Sequence, residues 1–389
     1  MVAGDPRSYG LADTSYRLCM VLLARGARTE FIPDAARPRA SYRTDLITAL
    51  LGVWLTVGLM VDAWAHNNLS ELETFFTPWH GLFYSGFVAI AAWICWQILQ
   101  SLQAGRRGLA AVPVGYAVGL LGLPLFAVAG IGDMIWHTTF GIETSLDILF
   151  SPTHLLLVTS MVLIITSPLR SAWSDPATSR TPTLGRLAPA LIGLAFATAI
   201  VLLFLQYANA LVWSPQGVVN ALSNTLDGSV MRDGPMPDDM AVSVVVTNVV
   251  LMVPLLLLTR RWQPPPGSAT ILYLAAAAMA GAITAFGSWA VLLSIVLAGV
   301  GVDALFAWLR PGPGRRNAVL AFAALASLLT WALYIAVLSA AAGRLPGVAE
   351  YWTGLPVVAA LHGLLLGVLA APHPPVETIE AADPVDVEA

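Results

Sequence analysis

Two phrases of like construction lie between Val61 and Ser160: VDAWAHNNLSELETFFTPWH, with Asp62, His66 and His80, and GDMIWHTTFGIETSLDILFSPTH, with Asp133, His137 and His154. Each runs Asp-x3-His, continues through a connector of 13 or 16 residues, and closes on Phe-(Thr/Ser)-Pro-x-His. Four of the six histidines in the chain fall here, so this stretch concentrates the side chains suited to metal or proton chemistry. Two neutral imidazoles and one carboxylate form a three-ligand set with open positions, which suits copper, iron or zinc and not calcium or magnesium. Glu71, Glu73, Glu143 and Asp147 in the connectors could orient the imidazoles or handle protons. Glu73 and Asp147 stand at the same place counted back from the closing His, which makes them the candidate catalytic acid–base groups.

The elements that must position these residues are membrane helices. Hydrophobic residues make up 57% of the 389 positions and charged residues 11%, with a mean hydropathy of +0.75. That describes an integral membrane protein, so length counts spans and not soluble domains. The expected fold is an all-α, polytopic membrane helical bundle of about ten transmembrane helices, each needing roughly 20 apolar residues. The first four run from about Leu46 to Ala65, Pro78 to Leu102, Leu109 to Trp136 and Pro152 to Pro168. Later spans are expected at about Leu187 to Val212 and Ala241 to Leu258, then two from residues 269–309 divided near Gly287 and Ser288. Asn317 to Ala341 and Pro356 to Ala371 complete the set. The chain then divides into an Arg-rich segment (1–44), a four-helix unit bearing both phrases (45–170), a second unit of about six helices (171–371) and an acidic tail (372–389).

Helix geometry brings the residues together. Positions four apart share a face, so Asp62 projects beside His66 and Asp133 beside His137. Thr77-Pro78 and Ser151-Pro152 are strong helix starts, a capping hydroxyl followed by Pro in the first turn, which sets His80 and His154 at the beginnings of the second and fourth spans. Short connectors make each pair of spans antiparallel neighbours, so the three residues of each phrase converge at one depth. Arg106, Arg107, Arg170, Arg180, Arg186, Arg260, Arg261, Arg310, Arg315 and Arg316 fall on alternate connections. The positive-inside rule then puts both termini in the cytoplasm and the two phrases near the outer face of the plasma membrane. One His or Asp at a span edge is ordinarily an interfacial residue, but six in matched order at matched helix ends point to a site.

At these residues the chain resembles the C subunit of the copper membrane monooxygenases, the particulate methane and ammonia monooxygenase family. There, a helix-borne Asp-x3-His and a His on the next helix form one copper site. A second set of similar spacing, usually led by Asn, follows about two helices later. Asp62, His66 and His80 match the first set; His137 and His154 match the second, with Asp133 where the family usually has Asn. The likeness covers roughly residues 45–170. It implies copper as cofactor, oxygen-dependent oxidation of a small apolar substrate, and partner membrane subunits or a homo-oligomer. The family subunit is shorter, and six further spans of this chain have no counterpart in it.

Read from the residues alone, the phrases leave open a copper or other transition-metal transporter, a b-type haem protein using His pairs, and a zinc hydrolase. Iron, zinc or haem thus remain alternatives to copper, and the two triads could hold separate ions or share one. With a net charge of -4 and no long basic run, nucleic acid is not an expected partner; the lipid bilayer is. Cys19 and Cys95 form no CxxC pair and read as small apolar residues. Met231, Met236 and Met240 alternate with Asp233, Asp238 and Asp239 in a loop that could offer ligands to incoming copper, though an incidental polar loop is the simpler reading. Asp303 is expected to pair with Arg310, His362 to bond a neighbouring helix from inside its span, and His373 to face solvent.

Overall fold

The structure, a computed structural model, describes residues 37–69, 75–141, 149–223 and 236–371. Those residues form an all-α, multi-pass membrane bundle with nine helices long and apolar enough to cross a bilayer. In chain order the helices are α1 (Tyr42–Asn68), α2 (Pro78–Gln103), α3 (Ala117–Phe140), α4 (Pro152–Ile165), α5 (Ser167–Ser174), α6 (Leu184–Phe204), α7 (Pro215–Ala221), α8 (Pro237–Arg261), α9 (Ser268–Ile283), α10 (Trp289–Leu309), α11 (Arg316–Ala342) and α12 (Ala349–Ala370). α4 and α5 together make one span broken at Thr166, where Pro168 withholds an N–H.

α9 is the short one, 16 residues or roughly 24 Å of rise. It nevertheless runs from one end of the bundle to the other. Its first N–H groups, those of Ala269 and Thr270, donate to the Asp303 carboxylate at 2.9 Å each. At its far end, the Ile283 carbonyl accepts from Asn68, the last residue of α1, at 3.5 Å. Asp303 therefore caps α9, a role different from the expected ion pair with Arg310. The break between α9 and α10 falls at residues 284–288 as their length predicts. It is not Gly287 that takes up the left-handed conformation there, but Ala285 (φ 48°) and Phe286 (φ 58°).

Every described arginine except Arg344 lies at one end of the bundle, here the arginine end; the two phrases lie at the other, the motif end. The arginine end is tied by long-range bonds. Arg37 donates to the carbonyls of Val112 and Pro113, and Arg261 to that of Trp173. Asp45 at the start of α1 accepts from Tyr116 at 2.7 Å and from Ser171 at 2.9 Å, joining α1 to α3 and α5. In the second half, Asn248 accepts from Trp331 at 3.0 Å and donates to the Ala359 carbonyl at 3.3 Å, linking α8, α11 and α12.

Backbone contact sets the distance between the motif helices. A Cβ at Gly58 of α1 would lie 2.7 Å from the Cα of Phe83, and one at Gly86 of α2 would lie 2.6 Å from the Cα of Leu55. The two helices thus cross through reciprocal glycines, the small-residue contact that lets membrane helices approach closely. Gly122 does the same between α3 and α4, where a Cβ would meet the Ser160 carbonyl at 2.9 Å. These crossings sit within two to three turns of Asp62, His80 and Asp133, so they fix how near the functional side chains come.

The fifth span ends at Phe204, earlier than the expected Val212. The chain then folds back over the motif end through short turns and α7, and Tyr334 of α11 anchors this return by donating to the Ala210 carbonyl at 2.6 Å.

Candidate metal centre

Asp62 and His66 occupy the last two turns of α1, Asp133 and His137 those of α3, and His80 and His154 the first turns of α2 and α4. All six meet at the motif end. They do not form two separated triads: Asp62, His66 and His80 make one group, and His80, Asp133 and His137 another, each with its ligating atoms within 4.8 Å of one another. His80 belongs to both. His154 joins through Asp133, whose Oδ1 lies 3.0 Å from its Nε2. The phrases have therefore merged into one cluster of four imidazoles and two carboxylates.

The histidines are oriented alike. The Phe75 carbonyl accepts from His80 Nδ1 at 2.7 Å, which requires the proton on that nitrogen and turns Nε2 toward Asp62 at 3.6 Å. His137 Nδ1 faces the Gly141 carbonyl at 3.4 Å while its Nε2 faces Asp133 at 3.5 Å. Ser151 Oγ lies 2.6 Å from His154 Nδ1. His66 Nε2 stands 3.9 Å from Asp62. All four Nε2 atoms thus look toward the two carboxylates, and in three of the rings Nδ1 is held from outside. Metal-ligating imidazoles are commonly held this way, with the outer nitrogen fixed by a second hydrogen bond.

The predicted helix caps are present and do more than cap. Thr77 and Ser151 accept the backbone N–H of His80 and His154, both at 3.2 Å, and the same hydroxyls reach the imidazoles, at 3.1 Å for Thr77 and His80. Removing either hydroxyl removes a cap worth about 1 kcal/mol; His80 keeps the Phe75 carbonyl, whereas His154 loses its 2.6 Å Ser151 partner. Ser151→Ala is therefore expected to lower helix stability by about that amount and weaken metal affinity roughly 10- to 100-fold, as loss of an outer-shell partner does. Competition with a chromogenic chelator measures the affinity. An unchanged value would mean that Ser151 serves as a cap alone.

Two carboxylates are buried in this cluster, Asp62 at 9% and Asp133 at 2% exposure. Among the described residues, no arginine pairs with either. Buried anions need cationic or hydrogen-bonding partners. Asp133 has some: Tyr84 donates to Oδ2 at 3.4 Å and Thr153 to Oδ1 at 3.2 Å. Asp62 Oδ1 is buried and accepts no hydrogen bond. A cation at the centre of the cluster answers that deficit, and the donor set of imidazole nitrogens and carboxylate oxygens is one that transition metals favour over calcium or magnesium. The residues present fit a metal ion.

Several contributors carry no signal in the two phrases. Tyr84 could have been found, because it lies four residues beyond His80 on the same face of α2. Phe75, whose ring stacks on His80 with centroids 4.7 Å apart, lies just before the Phe-Thr-Pro-x-His ending. Phe204 and Gln206 come from a distant part of the chain. Gln206 donates to Asn67 at 3.4 Å beside the cluster.

Glu71, Glu73, Glu143 and Asp147 lie outside the described residues, as do Cys19, Met231, Asp233 and His373. Met240 is fully buried in α8, and Asp239 caps that helix by accepting the Met236 N–H at 3.1 Å, so this part of the Met/Asp run is structural. Cys95 is half-buried within α2. His362 bonds the Val358 carbonyl of its own helix at 2.8 Å and not a neighbouring one.

The class defined so far is an all-α, multi-pass membrane protein with a buried Asp/His cluster at one end of its bundle. Comparison with protein-family models, with curated proteins and with solved structures returns no match.

Proposed function

We propose that the cluster is a transition-metal centre, with copper as its metal, and that the chain is a membrane oxidoreductase acting there on a small apolar molecule. The observation that carries this reading is the common orientation of the imidazoles, with every Nε2 turned toward two buried carboxylates. Copper is favoured by the resemblance of both phrases to the copper membrane monooxygenases and by the nitrogen-rich donor set. When bound, copper would supply one-electron redox chemistry with dioxygen. The chain's own part is to hold the ligands, orient them through Phe75, Thr77 and Ser151, and exclude bulk water from the centre. The segregation of arginine favours a cytoplasmic arginine end, and so a motif end at the outer face of the plasma membrane.

Two other readings fit less well. A b-type haem needs a slot between its axial histidines, yet carboxylate oxygens fill that space at 3.0–3.9 Å from the Nε2 atoms. An ion carrier needs stations stepping across the membrane, whereas all six residues lie at one end.

Elemental analysis with absorption and EPR spectra tests the proposal on detergent-purified protein, comparing wild type with His66→Ala and His137→Ala. Bound copper in a nitrogen-rich environment, reduced in both variants, is the expected result. Zinc in its place would move the reading to hydrolysis and a Soret band to haem; folded protein holding no metal would sink it. Stripping the ion with a chelator should lower the thermal midpoint, because a ligand held at 100 times its Kd stabilises the folded state by about 2.7 kcal/mol.

A further inference from the structure

Two cavities flank the cluster on the side of α6, and they share four walls: Leu59, Asp62, His154 and Phe204. The larger, about 60 Å³, reaches outward past His66 to the amide pair Asn67 and Gln206. The smaller, about 20 Å³, extends the other way between Phe83, Leu157, Val158 and Met161. A single water needs roughly 10–15 Å³ of such space, so the larger holds a molecule of a few heavy atoms and the smaller one of one or two.

The chemistry of the walls is graded. Among the described residues, neither cavity is lined by Arg, so nothing in them would hold a multiply charged anion. Beyond the cluster itself, the larger offers only neutral amides as polar groups and the smaller offers none. Phe204, the last residue of α6, is the wall common to both that comes from outside the four motif helices.

Resting on the metal-centre reading above, we infer that the cavity beside Asp62, His66 and His154 is the binding site for the exogenous ligand of the metal, a neutral or singly charged molecule of a few heavy atoms, and that Phe204 sets its size limit. This gives the fifth span a part in the site. The motif helices supply the ligands, and the end of α6 decides what reaches the ion.

The test uses full-length protein reconstituted with copper, titrated with azide as a small probe and 4-phenylimidazole as a bulky one. Absorption and EPR spectra report binding, and metal content is measured on every sample. Wild type is expected to bind azide and not phenylimidazole. Phe204→Ala, enlarging the cavity, should bind both. Phe204→Trp fills the space and should weaken azide by about tenfold or more, the effect of forcing extra atoms into a closed site. Metal content should be equal in all three. If Phe204→Trp does not fold, Phe204→Leu and Phe204→Ala give a graded series in its place. Equal affinities for both probes across variants that retain their copper would overturn the inference and leave the metal centre standing. Wild type that takes up no copper would overturn the metal centre and this inference together.

Discussion

Replacing His80 by Ala is expected to bring the metal content of the purified protein to background, while His66→Ala leaves a measurable fraction bound. The difference follows from position. His80 is the residue common to both ligand groups, whereas His66 serves the Asp62 group alone. Losing an outer-shell partner already weakens a metal site by roughly 10- to 100-fold, so losing a ligand of both groups exceeds that for each. His362→Ala serves as the control, since His362 lies away from the cluster and bonds the Val358 carbonyl of its own helix. Elemental analysis of the three variants at matched concentration decides the matter. Equal losses in His80→Ala and His66→Ala would refute a special place for His80.

Gly86→Leu should be strongly disruptive although it lies outside the cluster. Its Cβ alone would lie 2.6 Å from the Leu55 Cα and 2.8 Å from the Leu55 N, and backbone cannot yield as a side-chain tip can. α1 and α2 must separate, which carries Asp62 and His66 away from His80. Overpacking of this kind costs about 1–3 kcal/mol and sometimes more. We therefore expect a lower thermal midpoint in detergent by circular dichroism together with loss of bound metal. Gly354→Ala in α12, where an added Cβ meets nothing within 4 Å, is expected to be neutral or mildly stabilising. If Gly86→Leu folds and binds metal as wild type does, the reciprocal-glycine crossing does not set the geometry of the centre.

What could be read in the sequence was local. Asp-x3-His fixes a helix face, and Thr77-Pro78 and Ser151-Pro152 fix helix starts, so the convergence of each triad at one depth was legible in the sequence. So was the bundle, because the apolar runs are long and the arginines punctuate them. The merging of the triads was not, since it depends on how closely α2 meets α3, and no spacing along the chain encodes that distance. Phe204 falls inside the span expected over residues 187–212, because nothing in that stretch announces a stop; the turn there is held by Tyr334 from α11. Asp303 departs from its expected pairing with Arg310 for a similar reason. Its neighbour in sequence is an arginine seven residues on, but its neighbours in space are the free N–H groups of α9.

The sharing of His80 also bears on how the protein is made. Membrane helices enter the bilayer first and associate afterwards. The hairpin of α1 and α2 carries Asp62, His66 and His80, a whole ligand group, as soon as its two helices pair. The hairpin of α3 and α4 carries Asp133 with the His137 and His154 Nε2 atoms 3.5 and 3.0 Å from its Oδ1, and it gains His80 as a further neighbour when it docks beside the first. His80 is therefore shared only once the two hairpins are in register.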